Sequence, residues 1–106
     1  PALPLDTTLR EAVRLHSWEM ATTDHWGHYS CNGRDPVDRA NAVGRVFAGE
    51  NLAAGQTTPQ EAVDAWLAST MGHCEILFSD GSAGAVGYVH EPGDTYVHYW
   101  TFNTRW

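Results

Sequence analysis

The stretch Gly49-Glu50-Asn51-Leu52-Ala53-Ala54-Gly55-Gln56 constrains the chain more than any other. It lies between two segments of helical periodicity, sets a carboxylate between a glycine and an asparagine, and closes on a second glycine that takes positive φ without penalty. Asn51 can bond its own backbone two residues on, and Gly55 can end a short Leu-Ala-Ala turn. The sequence therefore predicts a tightly specified loop with Glu50 at its apex. A carboxylate held there serves as a ligand or as a brace.

The flanks supply the elements such a loop would join. After an extended lead-in from Pro1 to Leu5, Asp6 or Thr7 caps a predicted helix running to about Thr22. Leu9, Val13, His16 and Met20 share one face of it, with Ala12 and Leu15 beside them. His16 on that face reads as a core histidine. Thr23 to Gly33 then gather His25, Trp26, His28, Tyr29 and Cys31, a density of aromatic and titratable groups unusual for a connection. Asp35-Pro36 signals a second helix that Val37, Ala40, Val43 and Val46-Phe47 continue, with Asp38 and Arg39 pairing across its surface.

Beyond the central stretch, Thr58-Pro59-Gln60-Glu61 has the form of a helix start, with threonine at the cap, proline first and Glu61 third in a capping box. Ala62, Val63, Ala65, Trp66 and Leu67 point inwards. Glu75 to Phe78 then reads as a strand, Asp80 to Gly84 as a turn and Ala85 to His90 as a second strand. Glu91 to Asp94 reads as a hairpin turn and Thr95 to Asn103 as a third strand. Helices followed by antiparallel strands make an α+β domain, and 106 residues suit one domain over 1–106.

Charge and composition narrow the function. The formal net charge is −7 and the six basic residues, all arginines, are scattered. Nucleic acid is thereby excluded as a partner, because phosphate binding needs a basic stripe. No run approaches the roughly 20 apolar residues of a membrane helix. Neither a Gly-x-Ser-x-Gly elbow nor a phosphate-loop lysine is present. Two cysteines, Cys31 and Cys74, are too few for a disulfide scaffold and lack Cys-x-x-Cys spacing.

Gly49 to Gln56, followed by Thr58-Pro59-Gln60-Glu61-Ala62-Val63-Asp64-Ala65-Trp66 and by Gly72-His73, resembles the bacterial branch of the CAP superfamily. That superfamily groups cysteine-rich secretory proteins, antigen-five venom allergens and plant pathogenesis-related proteins. The likeness extends to Leu15-His16-Ser17-Trp18-Glu19-Met20-Ala21, His28, Asp38-Arg39, Ala85-Val86-Gly87-Tyr88 and Tyr99-Trp100-Thr101, so it covers most of the chain. It implies a three-layer α-β-α sandwich around a small antiparallel sheet. The helix that usually comes first in the family, of the Asn-x-x-Arg type, is missing here.

The family's cavity is built on two histidines and two glutamates. The resemblance assigns the first histidine to His28, the first glutamate to Glu50 and the second histidine to His73. Ser69 stands where the second glutamate is expected, and Glu75 is the nearby candidate to replace it. Two neutral imidazoles and one carboxylate can hold a zinc ion and leave one position to water. The alternative is a metal-free network in which Glu50 orients the histidines. Because Cys31 and Cys74 each follow a cavity histidine, the resemblance brings them to one rim, where a bridge would stabilise by about 4 kcal/mol and imply an oxidising compartment. Two reduced thiols are the other possibility. The absence of a signal peptide agrees with a mature secreted protein or a cytosolic one, and the resemblance favours secretion.

The resulting expectation is a secreted bacterial domain whose cleft binds a divalent metal and an extracellular lipid, peptide or protein ligand. The first alternative is a metal-assisted hydrolase with Glu50 or a bound water as base. The second is a metal-free structural or interaction module.

Overall fold

Asp6 starts the first helix of the computed structural model. Its Oδ1 accepts from the backbone N–H groups of Thr8 and Leu9, both at 3.0 Å, satisfying two of the donors that a helix start leaves open. The structure describes residues 3–23, 25–78 and 81–106, so Pro1 and Ala2 of the predicted lead-in and Asp80 of the predicted turn lie outside it. Helix α1 (Thr7–Thr23) buries Leu9, Ala12, Val13, His16, Ser17, Met20 and Ala21, the predicted face, whereas Leu15 is exposed.

Three strands, β1 (Phe47–Ala54), β2 (Ala83–His90) and β3 (His98–Arg105), form an antiparallel sheet in the order β1-β3-β2. Strand alternation assigns the layers. Tyr99 packs with Met20, Ala21 and Leu52 on the α1 side. Trp100 packs with Ala53, Ala62 and Trp66 on the other, against helix α3 (Pro59–Ala68). A third cluster, Leu9, Val13, Ala40 and Ala85, ties α1 to β2 and to helix α2 (Pro36–Ala42). The α-β-α sandwich is therefore present. Its closest approach is at Gly87, where an added Cβ would stand 2.4 Å from the backbone of Val13 and Arg14, so glycine lets α1 lie directly on β2.

Several local expectations change. The stretch around Glu50 is strand β1, with Gly49 to Ala53 buried, and not a loop. Glycine, alanine and asparagine carry little strand propensity, and pairing with β3 on one side and packing on both faces override it. Glu75 to Phe78 does not form a strand. His73–Leu77 is a short helix, α4, entered through Gly72 at φ 93°, with Ile76 N–H donating to Gly72 O. A short apolar run does not distinguish the two forms by periodicity.

Helix α2 has the predicted start, with Asp35 and Asp38 completing a reciprocal box, but it ends at Ala42. Gly44 at φ 74° allows the Gly44 and Arg45 amides to turn back onto Asn41 and Ala40, a Schellman stop. The capping of α3 also differs in one bond. Thr58 accepts from Glu61 N–H as expected, but the Glu61 carboxylate bonds Thr57.

No helix among the described residues is long and apolar enough to cross a membrane.

Candidate functional site

Consecutive residues of a strand point to opposite faces, and this divides the expected triad. Glu50 faces the side of α1 and α2. Asn51 faces α4, where its Nδ2 donates to His73 O at 2.9 Å. The structure brings His28 to Glu50, with Nδ1 2.8 Å from Oε1, and leaves His73 in a separate set of contacts. The His73 Nδ1 is 2.7 Å from Ser69 Oγ.

Arg39 is the residue that organises the Glu50 side. Its Nη2 donates to both Glu50 oxygens, at 2.9 and 2.7 Å, and both side chains are almost wholly buried, 5% and 1% exposed. The other terminal nitrogen, Nη1, donates to His28 O at 2.7 Å and to Ser30 Oγ at 3.1 Å. One guanidinium thus fastens the 28–30 segment to β1. Asn103, opposite Glu50 on β3, donates its amide nitrogen to Glu50 Oε2 at 2.8 Å and to Phe102 O at 3.1 Å. The expected surface pair of Asp38 with Arg39 is not formed, because Asp38 is engaged by the Asp35 amide and Arg39 turns inwards.

His16 lies beneath this network with no exposure, its Nε2 2.8 Å from Gly27 O. Burial, and next the charge of Arg39, hold its pKa below the ordinary histidine value, against the opposing pull of Glu50. His16 is therefore the core histidine expected.

A zinc ion on His28, Glu50 and His73 does not fit these residues. Arg39, His28 and Asn103 already engage both Glu50 oxygens, and a guanidinium stands against the carboxylate that a second cation would need. Among the described residues no three His, Cys, Asp or Glu side chains are placed to hold one ion. Glu75 is exposed in the first turn of α4 and is not part of the cleft wall near His73.

The expected bridge is also absent. Cys31 and Cys74 are free thiols, Cys31 exposed and 3.9 Å from Glu19 Oε2, Cys74 half-buried in α4. Cys31 follows the Glu50 network and Cys74 follows His73, so the division that separates the histidines acts on the cysteines too.

On the His73 side a cleft of 310 Å³ opens, lined by Trp26, Gln56, Trp66, Ser69, His73 and Tyr96 among others. Trp26 and Tyr96 are half-exposed, with ring centroids 6.4 Å apart. Trp66 is buried, and its indole N–H donates to Leu52 O at 2.8 Å, which fixes the cleft floor to β1. Gln56 Oε1 is buried with no hydrogen-bond partner among the described residues.

Sequence reasoning missed Arg39, Asn103 and Gln56. Arg39 had a signal, since it adjoins Ala40 on the inward side of a short helix. Asn103 had one as well, falling on the same alternation as Tyr99 and Thr101. Gln56 had none.

The model of the CAP family, described as the cysteine-rich secretory protein family, matches residues 1–104. The chain is 36% identical over 89 residues to the uncharacterized protein YkwD of Bacillus subtilis, across 82% of this chain and 35% of that protein. Among solved structures, an extracellular protein of Bacillus anthracis containing an SCP domain is similar with a TM-score of 0.81 and 26% identity, over 100% of this chain and 34% of that one. An outer surface protein of Borrelia burgdorferi has the same fold, with a TM-score of 0.80, 22% identity and coverage of 100% and 80%. The chain spans about a third of the length of the two Bacillus proteins.

Proposed function

The chain belongs to the CAP family of cysteine-rich secretory proteins, and from that premise we propose that it is a secreted binding module whose ligand enters the Trp26–Tyr96 cleft. Secretion is supported by the family's description and by the extracellular description of the Bacillus anthracis relative. The observation that carries binding is the cleft itself, rimmed by the half-exposed rings of Trp26 and Tyr96 and lined by the polar side chains of Ser69 and His73. The ligand is thus an amphiphile, with a polar group for Ser69 and His73 and an apolar or planar body for Trp26 and Tyr96. In this reading Arg39, Glu50 and His28 stiffen the fold beside the cleft without a metal.

The test is NMR titration with fatty acids, sterols and short peptides on the wild type, Trp26→Ala and Tyr96→Ala. Saturable shifts around the cleft that weaken in both variants support the reading. Shifts indifferent to both substitutions, or none with any of the three classes, remove it.

One observation favours a second reading, hydrolysis in the same cleft: the Ser69 Oγ and His73 Nδ1 contact at 2.7 Å. There Ser69 Oγ would attack an ester carbonyl as His73 takes its proton, His73 would return that proton to the departing alcohol, and water would then hydrolyse the acyl-serine. Turnover of a chromogenic ester by the wild type, abolished in Ser69→Ala and His73→Ala, supports it. An inactive wild type ends it.

A further inference from the structure

A second pair of histidines lies five residues along β3 from Asn103 and on the opposite face of the sheet. His90 and His98 stand directly across from each other on β2 and β3. At the next position Glu91 N–H donates to Val97 O at 2.7 Å, so the 90/98 pair occupies a non-hydrogen-bonded position, where opposed side chains come closest. Their ring centroids are 4.9 Å apart with planes 6° from parallel. Two imidazoles bound to one ion through nitrogens at about 2.0–2.1 Å place their centroids on the order of 5 Å apart. The spacing therefore suits a shared ion, and a rotation of the exposed His90 ring brings its lone pair out of the stack.

His98 has a partner for its other ring nitrogen. Tyr88 Oη lies 2.6 Å from its Nδ1, and the Tyr88 ring is held against Trp100 at a centroid distance of 4.3 Å. A metal-ligating histidine commonly bonds an oxygen through its second nitrogen, which fixes the tautomer and leaves Nε2 for the ion. Glu61, in the first turn of α3, adds a nearby negative charge. Its carboxyl is held low first by the Thr57 amide and hydroxyl and, more weakly, by His98. Glu91 follows His90 directly in the chain.

We propose that His90 and His98 form a two-histidine site for a late first-row divalent cation of the zinc, nickel or copper class, with Tyr88 as the supporting partner and water completing the coordination. The site takes two protein ligands and is separate from the Glu50 network and from the cleft.

Calorimetric titration of the protein with nickel or zinc salt at mildly alkaline pH tests it. The expected result is one saturable ion per chain in the wild type, in His28→Gln, in His73→Gln and in Cys31→Ser. Binding is lost in His90→Gln and His98→Gln and weakened about tenfold in Tyr88→Phe. No saturable binding in the wild type overturns the site, as does binding that survives both the His90 and His98 substitutions. Loss on replacing His73 or Cys31 instead would assign the ion elsewhere. Should a histidine variant fail to fold, paramagnetic broadening of histidine ring resonances by nickel in the wild type decides. Broadening of His90 and His98 first sustains the proposal, and broadening centred on other residues overturns it.

Discussion

Asp6 and Glu50 are both buried carboxylates, 6% and 3% exposed, and both are met by arginine, yet they are built differently. Asp6 accepts two backbone amides of α1 and the Nε groups of Arg45 and Arg105, whose side chains are 33% and 29% exposed. It clasps the start of α1, the turn after α2 and the end of β3. Glu50 is met by one buried arginine and by His28, whose side chain is 50% exposed. The Asp6 set closes on itself within the fold, whereas the Glu50 set runs from the sheet to the surface through a histidine. A clasp and a conduit can use the same two residue types, and the exposure of the third partner tells them apart.

The largest effect should come from removing the arginine of the buried pair. Arg39→Ala leaves Glu50 buried without its counter-charge and frees the 28–30 segment, so a loss of about 3–5 kcal/mol in denaturant-determined stability is expected. Arg39→Met combined with Glu50→Leu should recover most of that loss, because a buried ion pair replaced by apolar groups is often neutral or better. If the double variant is as unstable as the single one, the hydrogen bonds of Arg39 to His28 O and Ser30, and not the pair itself, carry the stability.

Asp6→Ala should cost less, about 2–3 kcal/mol: roughly 1 from the helix cap and under about 1 from each partly exposed arginine contact. Its pH signature is the sharper part. Burial alone would raise the Asp6 carboxyl, but the Leu9 amide, Arg45 and Arg105 together outweigh it and hold the pKa well below the usual carboxylate range. A carboxyl lower in the folded than in the unfolded state contributes its full stability above the unfolded value, about 3.9, and loses it as pH falls towards the folded one. Melting curves of the wild type should therefore fall below about pH 4, and those of Asp6→Ala should fall less. Parallel acid profiles would show that Asp6 is no clasp.

The two carboxylates were not equally legible in the sequence. Asp6, Asp35 and Thr58 were readable as helix caps because a cap is local: side chain, backbone amide and apolar run all lie within four residues. The buried face of α1 was readable for the same reason. Glu50 stands out in the sequence, but its setting does not. Its strand is written in glycine, asparagine and alanine and exists because β3, some fifty residues later, pairs with it. Arg39 reads as surface because its partner is eleven residues away across a turn, and in a seven-residue helix only its place beside Ala40 hints otherwise. Cys31 and His28 lie on one side of the division set by β1, and Cys74 and His73 on the other. A set carried over by resemblance supplies residue identities, whereas strand alternation decides which of them can meet.

The smallest effect separates the surface end of the Glu50 set from its interior. His28→Gln removes a half-exposed partner from a carboxylate that Arg39 and Asn103 still satisfy, so stability near neutral pH should change by under about 1 kcal/mol. His16 behaves otherwise. Burial and the charge of Arg39 depress its pKa in the folded state. The unfolded chain therefore takes up the proton first, and stability falls as pH drops below the unfolded histidine value of about 6.5. This loss should persist in His28→Gln and disappear in His16→Gln, measured as melting temperature from pH 7.5 to 5. Were the loss to persist in His16→Gln instead, the buried histidine would not be the group behind the response to acid.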